Sequence, residues 1–335
     1  MRRTALFLVV LAGALLAPAG PAFAHGGDAP DATSYRTDVS GLSERIPALT
    51  VRAVEAGARL ELVNNTGKTV EILGYQDEPY LEVRPDGVYQ NVNSPATYTN
   101  ATLDGDSPVP SNADPTAPPQ WQKVSGEPTV RWHDQRTHWL SPGLPPQAQA
   151  DPSRAHKLRD WTVPLRQGAH TFTVNGTLTW EPPPAAWLWW AAAVALAAGI
   201  TALALRSARW VGPVALLTGT IGFAYAVTRA TLGVSGQAPA IVASAIAIVA
   251  GVFALSGRTP FLVLLGGAAV AIFGGLGDVG VFNQAVVNFP GPGWLSRAAV
   301  LIAIGTGTGL TAAGVLRLRA APPAPAPTAR ISSDA

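Results

Sequence analysis

The sequence contains no cysteine, and its only methionine is Met1. Without cysteine the chain forms no disulfide and offers no thiolate for catalysis or metal binding. Since Cu(I) prefers thiolate and thioether ligands, this composition also excludes a soft copper site built on sulfur. Charged residues make up only 13% of the chain, whereas hydrophobic residues make up 48%. This balance is typical of an integral membrane protein.

Charge is missing above all from one block between Ala186 and Leu316. Five windows in this block lack Asp, Glu, Lys, Arg and His, and each is long enough for a helix rising ~1.5 Å per residue to cross a ~30 Å hydrocarbon layer. Because a backbone in lipid must satisfy its own hydrogen bonds, we predict five transmembrane helices within residues 185–319. The windows are Ala186–Leu205, Trp210–Thr228, Ala238–Leu255, Pro260–Gly277 and Ala298–Leu316.

Basic residues between these windows predict the orientation of the block. Arg206 and Arg209 lie in the first link, Arg258 lies in the third, and several arginines follow the last window, while the second and fourth links carry one arginine each. Basic residues in short loops stay on the cytoplasmic side. We therefore expect the first, third and final links to be cytoplasmic and the residues before Ala186 to be extracytoplasmic.

The two ends of the chain agree with this orientation. Residues 1–24 have two arginines, an apolar core and the small-x-small end Ala22-Phe23-Ala24, which is the pattern of a secretory signal peptide. Such a leader places the following residues outside the cytoplasm. Residues 320–335 are rich in Ala and Pro, and we predict a disordered cytoplasmic tail. A chain whose N-terminal part is extracytoplasmic and whose C-terminal tail is cytoplasmic must cross the membrane an odd number of times. The five predicted helices meet this condition.

Residues 25–184 show the alternation of short β-strands. Apolar and charged residues alternate over Ala58–Leu62, and the turn-forming segment Asn64–Lys68 follows, which predicts a half-buried strand and a hairpin. Several further runs of this kind, without an amphipathic helix, predict an extracytoplasmic antiparallel β-sandwich of immunoglobulin or cupredoxin-like type. Asn93–Ser125 and Ser141–Arg154 interrupt it as long polar loops. Acidic residues outnumber basic ones here, which argues against a nucleic-acid partner.

The segment richest in chemical groups is Trp132–Trp139, which we call the His-Asp segment. It reads Trp-His-Asp-Gln-Arg-Thr-His-Trp. In an unbroken strand Asp134 and His138 share one face and His133 takes the other. The two imidazoles could then bind one metal ion only if the chain turns near Asp134. The alternative is structural, with the tryptophans packed in the core and Asp134 paired with Arg136.

Cleavage after the leader would make His25 the first residue of the mature protein. A terminal histidine offers an amine, an imidazole and a backbone amide, and with His133 or His138 this nitrogen set suits Cu(II). Copper(II) is therefore the candidate cofactor, and Asp134 is a further candidate ligand. The alternative is that His25 has no functional role and is simply the residue that follows the cleavage site. His170 has the strand parity of Phe172, so we expect it in the core.

The membrane block contains few ionisable residues. Its ionisable residues Arg229, Asp278 and Arg297 all fall near the predicted outer boundary, which disfavours a transport pathway. Gly305 and Gly309 form a small-residue seam that predicts close helix packing. The sequence contains no nucleophile elbow, phosphate-binding loop or zinc-hydrolase spacing, so we expect no enzymatic activity.

The His-Asp segment, with Asp86–Asn91 and Ser94–Ala96 upstream, resembles a family of uncharacterised actinobacterial-type membrane proteins. This resemblance implies a signal peptide, an extracytoplasmic domain and five C-terminal helices, but no activity. The family commonly has a histidine where this chain has Gln135, which weakens a metal site in this segment. His25 and the expected fold also give a looser likeness to secreted copper-binding sandwiches of the CopC type.

These features predict a membrane-anchored extracytoplasmic binding protein of the cell envelope, with Cu(II) as a candidate ligand. The alternative is a structural or assembly module whose helices dock another membrane protein, without metal or catalysis. In both cases the expected partners are the lipid bilayer and another membrane or envelope protein. Nucleic acid is not an expected partner.

Overall fold

A computed structural model describes residues 29–256 and 260–320 of the chain. The predicted signal peptide, His25, Arg258 and the predicted tail beyond Ala320 lie outside the described residues. The predictions made for those parts therefore stay predictions.

The described chain forms two compact units. The first, which we call the sheet unit, contains residues 29–30 and 35–181. The second, the helical unit, contains residues 31–34 and 182–320. The strands are β1 (Ala32–Thr33), β2 (Tyr35–Leu42), β3 (Leu49–Val54), β4 (Arg59–Asn64), β5 (Val70–Leu73), β6 (Pro79–Arg84), β7 (Gly87–Asn91), β8 (Trp121–Ser125), β9 (Thr129–Trp132), β10 (His156–Gln167), β11 (His170–Trp180) and β12 (Val286–Val287).

Two antiparallel sheets build the sheet unit, which confirms the predicted sandwich-like β fold. One sheet has seven strands in the order β2-β11-β10-β5-β6-β7-β8, and the other has three in the order β3-β4-β9. Alternating apolar residues of both sheets meet in one core, as the zero exposure of Leu60, Leu62, Ile72 and Val163 shows. The period-two pattern of the sequence therefore placed these side chains on the buried face of each sheet.

The two predicted loops are more ordered than the sequence indicated. Asn93–Ser125 contains a short helix, Pro95–Thr99, and ends in strand β8. Ser94 caps this helix, since its hydroxyl accepts a hydrogen bond from the backbone N–H of Ala96 at 3.2 Å, as N-cap residues do. Ser141–Arg154 contains a second short helix, Pro146–Ala150.

The expected core position of His170 is wrong. Its side chain is 62% exposed and lies against the carboxylate of Glu44. The reason is its position as the first residue of β11, directly after the turn at Gly168. Strand parity alone does not bury a side chain where the facing sheet no longer covers it.

Five helices of the helical unit are long and apolar enough to cross a membrane. They confirm the predicted helical block and support a multi-pass membrane protein. The fourth continues from its α-helical part through π-helical turns at Val270–Gly275 and 3₁₀ turns at Leu276–Phe282, and the fifth begins earlier than its charge-free window. The helices are α1 (Ala186–Arg206), α2 (Val211–Thr231), α3 (Ala238–Leu255), α4 (Pro260–Ala269) and α5 (Gly293–Ala320).

The glycine seam of α5 packs as the sequence predicted. A Cβ atom at Gly305 would stand 3.0 Å from the carbonyl oxygen of Ala193 on α1. At Gly309 it would stand 2.8 Å from the carbonyl oxygen of Ala197. Any larger residue at these positions would force α1 and α5 apart, so the small residues allow close backbone approach.

The segment 31–34 belongs to the helical unit although it precedes the sheet unit in the chain. Its strand β1 pairs with β12, which lies in the link between α4 and α5. The hydroxyl of Ser34 donates a hydrogen bond of 2.6 Å to the side-chain oxygen of Gln284. These contacts join the segment 31–34 to the link between α4 and α5 within the helical unit.

Candidate functional site

The His-Asp segment does not continue as a strand. Strand β9 ends at Trp132, and a 3₁₀ turn follows at Gln135–Thr137. Asp134 starts this turn, because its carboxylate accepts a hydrogen bond from the backbone N–H of Arg136 at 3.1 Å. The turn brings His133 and His138 to one place, where both rings face the carbonyl oxygen of Ala58. Of the two alternatives, the chain therefore takes the turn near Asp134 and does not continue as an unbroken strand.

Asp134 is fully buried and its carboxylate is saturated with donors. Its two oxygens accept hydrogen bonds of 2.8 Å from Nε and Nη2 of Arg136. The indole N–H of Trp132 donates to the same carboxylate at 3.2 Å. This is the bidentate pairing that stabilises a buried charge. The structure thus shows the predicted Asp134–Arg136 pair, and these contacts occupy the carboxylate that was a candidate metal ligand.

The guanidinium of Arg136 also ties the segment to a neighbouring loop. It donates to the carbonyl oxygens of Leu73 at 3.0 Å and Gly74 at 3.3 Å, and it lies 4.9 Å from the centre of the Tyr75 ring. The Tyr75 hydroxyl accepts a hydrogen bond of 3.0 Å from the backbone N–H of Gln135 and donates one to the side-chain oxygen of Asn100. Burial raises the pKa of this hydroxyl, so it keeps the proton that it donates.

His133 is held by hydrogen bonds at both ring nitrogens. Its Nδ1 lies 2.7 Å from the carbonyl oxygen of Ala58, and its Nε2 accepts from Nε of Arg59 at 3.1 Å. This pattern fixes the neutral tautomer with the proton on Nδ1. Burial lowers the pKa of His133 from 6.5 to about 4, which agrees with a neutral ring. Neither nitrogen is available to a metal ion in this arrangement.

His138 differs from His133 in the hydrogen bonding of one ring nitrogen. Its Nε2 is buried and has no hydrogen-bond partner among residues 29–256 and 260–320. Burial, with His133 as a further contribution, lowers the pKa of His138 to about 4. The ring is therefore neutral at pH 7 and carries one nitrogen that can still accept. Arg159 donates to the carbonyl oxygens of His138 and Gln135, which keeps this part of the turn in place.

The predicted metal set is only partly assembled in the described chain. The structure brings His133, Asp134 and His138 together, whereas His25 lies outside the described residues. Within those residues no group of three or more His, Cys, Asp or Glu side chains could hold a metal ion. Of the three residues that are placed, His138 alone keeps a nitrogen without a protein partner.

The same polar cluster also contains Tyr75, Asn100 and Glu78. No pattern in the sequence indicated that these residues belong to it. The buried carboxylate of Glu78 accepts hydrogen bonds of 2.8 Å from the Ser94 hydroxyl and 2.9 Å from the backbone N–H of Gln76. These residues come from loops that are distant in sequence from the His-Asp segment. Only the fold reveals that they meet it.

The loop that follows the His-Asp segment exposes apolar side chains. We call Trp139–Leu144 the apolar loop. Leu140 is 45% exposed and Leu144 is 47% exposed. The indole N–H of Trp139 donates to the carbonyl oxygen of Gly143 at 3.1 Å, which closes the loop on itself. The loop thus has an internal hydrogen bond while its leucines face solvent.

Comparison with protein-family models, with curated proteins and with solved structures found no match.

The buried histidines predict a loss of stability in acid. Because the folded-state pKa values of His133 and His138 lie near 4 instead of 6.5, the unfolded chain binds protons in this range that the folded chain does not. Stability of the sheet unit should be complete above pH ~6.5 and fall towards pH 4, by at most about 1.4 kcal/mol per pH unit for each histidine. Hydrogen exchange of β4 and β9 amides in the full-length protein, corrected for intrinsic rates, measures this slope.

The control for this prediction is His156, which lies on β10 outside the His-Asp segment. The double variant His133→Asn/His138→Asn should flatten the slope, whereas His156→Asn should leave it unchanged. An unchanged slope in the double variant would contradict the assignment.

Proposed function

We propose that this chain is a membrane-anchored binding protein of the cell envelope, which presents its sheet unit outside the cytoplasm to another membrane or envelope protein. The observation that carries the proposal is the apolar loop, whose leucines are exposed to solvent at the end of the His-Asp segment. The His-Asp segment is then the scaffold of a binding surface.

The distribution of basic and aromatic residues supports an extracytoplasmic sheet unit. Arg206 and Arg209 lie where α1 meets α2, and basic residues also end α5. Trp187 and Trp294 lie in the first turns of α1 and α5 and are exposed. Basic residues favour the cytoplasmic side, and tryptophans prefer the interface with water. The residues that precede α1 then lie on the outer side.

The apolar loop has the properties of a protein-binding surface. Contiguous exposed apolar patches mark interaction sites more often than single scattered residues do, and Leu140 and Leu144 belong to one loop that the Trp139–Gly143 hydrogen bond closes. Arg159 donates a hydrogen bond to the carbonyl oxygen of His138, the residue before the loop, so the start of the loop is held in place before a partner arrives. A preformed surface loses less conformational entropy on binding than a mobile one. We therefore expect the partner to offer an apolar groove for Leu140 and Leu144.

Site-specific photocrosslinking tests this surface in the full-length protein. A photoreactive residue at position 140 or 144 should give one discrete protein adduct in cells. Position 109 is the matched control, since Val109 is also 45% exposed but lies outside the loop. Leu140→Ser/Leu144→Ser should weaken the association about tenfold or more, because each buried leucine contributes on the order of 1–2 kcal/mol. Equal adducts at positions 109 and 140, or an unchanged affinity, would contradict the proposal.

Cu(II) binding is a second candidate function, favoured by the unpartnered Nε2 of His138. A neutral imidazole is the form that binds metal. The terminal amine and imidazole of a mature His25 would supply the nitrogen ligands that Cu(II) prefers. Asp134 and His133 are engaged elsewhere, so this version of the site depends on His25 and His138.

Two measurements on the full-length protein test the copper site. Mass spectrometry should show that the mature chain begins at His25, because the amine exists only after cleavage. Cu(II) titration followed by electron paramagnetic resonance should show binding that His25→Ala abolishes and His138→Ala weakens. His156→Ala is the matched control and should leave the affinity unchanged. A retained leader, or full affinity in His25→Ala, would exclude this site.

A further inference from the structure

One end of the helical unit is strongly basic. Two arginines lie where α1 meets α2, and two more lie in the last turn of α5. α1 and α5 run in parallel, since Gly309 of α5 faces Ala197 of α1 and Arg317 contacts Ala204 further along. The C-terminal ends of both helices therefore lie side by side. We call this group the basic end, and it consists of Arg206, Arg209, Arg317 and Arg319.

The described residues of the helical unit place no carboxylate near the basic end. They include two acidic side chains, Asp31 and Asp278, and both pair with the fully buried Arg229. Arg229 lies roughly 30 Å along the second membrane helix from Arg209, at a rise of ~1.5 Å per residue. Such a distance exceeds the Debye length of about 8 Å at physiological ionic strength several times. The positive charge of the basic end is therefore not neutralised by these carboxylates.

The turn between α1 and α2 adds backbone donors to these charges. A 3₁₀ turn at Ala208–Trp210 leads directly into α2. Ser207 stands at its N-cap position, but the hydroxyl of Ser207 makes no capping hydrogen bond within the described chain. The first N–H groups of a helix carry partial positive charge and bind phosphate groups readily. The guanidinium of Arg209 lies in the same turn, 5.5 Å from the centre of the Trp210 ring, in a cation–π contact.

Arg317 joins the two halves of the basic end. Its guanidinium donates a hydrogen bond to the carbonyl oxygen of Ala204 in the last turn of α1. The last carbonyl groups of a helix lack partners within the helix and carry partial negative charge. Arg317 offsets this negative charge, which would otherwise oppose the binding of an anion. The other three arginines, Arg206, Arg209 and Arg319, are exposed, so a ligand can reach them.

Apolar side chains border the basic end and define the class of ligand. Leu205, Trp210, Leu316 and Leu318 are each between 42% and 48% exposed. α1 has 21 residues and is thus about as long as the ~30 Å hydrocarbon layer is thick. Arg206, its last residue, then lies at the level of the lipid headgroups. A ligand with both an anionic group and an apolar part satisfies this surface, whereas free phosphate would leave the apolar part uncovered.

We propose that the basic end binds the phosphate group of an anionic phospholipid, whose acyl chains lie along the neighbouring leucines. Arg206 and Arg209 flank the uncapped start of the second membrane helix and are the main phosphate ligands. A guanidinium can donate two parallel hydrogen bonds to one phosphate, which an ammonium group cannot do. This binding differs from the effect of basic residues on membrane orientation, because orientation depends on charge and not on hydrogen-bond geometry.

Native mass spectrometry of the full-length protein in a neutral detergent counts the lipids that stay bound. Phosphatidylglycerol should be retained in preference to phosphatidylcholine. Arg206→Gln/Arg209→Gln should lower the affinity for phosphatidylglycerol about fivefold or more. Arg206→Lys/Arg209→Lys should lower it too, although the charge is kept, because the paired hydrogen bonds are lost. Arg154→Gln/Lys157→Gln is the matched control, since it removes two exposed charges of the sheet unit and should leave the affinity unchanged.

A second measurement uses the unmodified protein. Phosphatidylglycerol should raise the Tm of the full-length protein in the same detergent, whereas phosphatidylcholine should not, because a ligand stabilises the state that binds it. Inorganic phosphate, compared with chloride at equal ionic strength, should displace no phosphatidylglycerol. Displacement by inorganic phosphate would assign the site to free phosphate and overturn the lipid assignment. Equal retention of both lipids, or full affinity in either double variant at Arg206 and Arg209, would also overturn the proposal.

Discussion

A polar group removed from water must find another partner, and this constraint explains the organisation of both units. In a helix that crosses lipid, backbone groups bond to one another and side chains are almost all apolar. Where an ionisable residue is nevertheless buried, as Arg229 is, the fold surrounds it with carboxylates and carbonyl oxygens from other segments. The link between α4 and α5 and the segment 31–34 are placed by this requirement.

In the sheet unit the constraint acts on Asp134. A buried carboxylate is tolerated because Arg136 pairs with it in two hydrogen bonds and Trp132 adds a third. Removing one member of such a buried pair leaves an uncompensated charge. The pair therefore fixes the turn that follows β9, and through Arg136 it fixes the loop at Leu73 and Gly74. The apolar loop begins where this network ends.

Much of this architecture could be predicted from local patterns. Charge-free windows located the helices to within a few residues, and the alternation around Leu60 and Leu62 placed these side chains in the core. The Asp134–Arg136 pair could also be predicted, since its members lie two residues apart. A metal site shared by His133 and His138 required a turn at Asp134. The period-two pattern of the sequence gave no reason to prefer this turn over a continuous strand.

What could not be predicted depends on contacts between distant parts of the chain. Asp31 reaches Arg229 across almost two hundred residues, and Tyr75 meets Gln135 across sixty. No periodic pattern in the sequence predicts such long-range contacts. Exposure at the end of a sheet, as for His170, likewise depends on what the facing strands cover. These are properties of the assembled fold and not of the segments.

The central claim is that the sheet unit lies outside the cytoplasm, and the absence of native cysteine makes it directly measurable. Single cysteines would be introduced as Val109→Cys in the sheet unit and Ala208→Cys between α1 and α2, both at exposed positions. Intact cells would then be treated with a membrane-impermeant maleimide. The account predicts labelling of Val109→Cys in intact cells and of Ala208→Cys only after permeabilisation. The reverse pattern would contradict it.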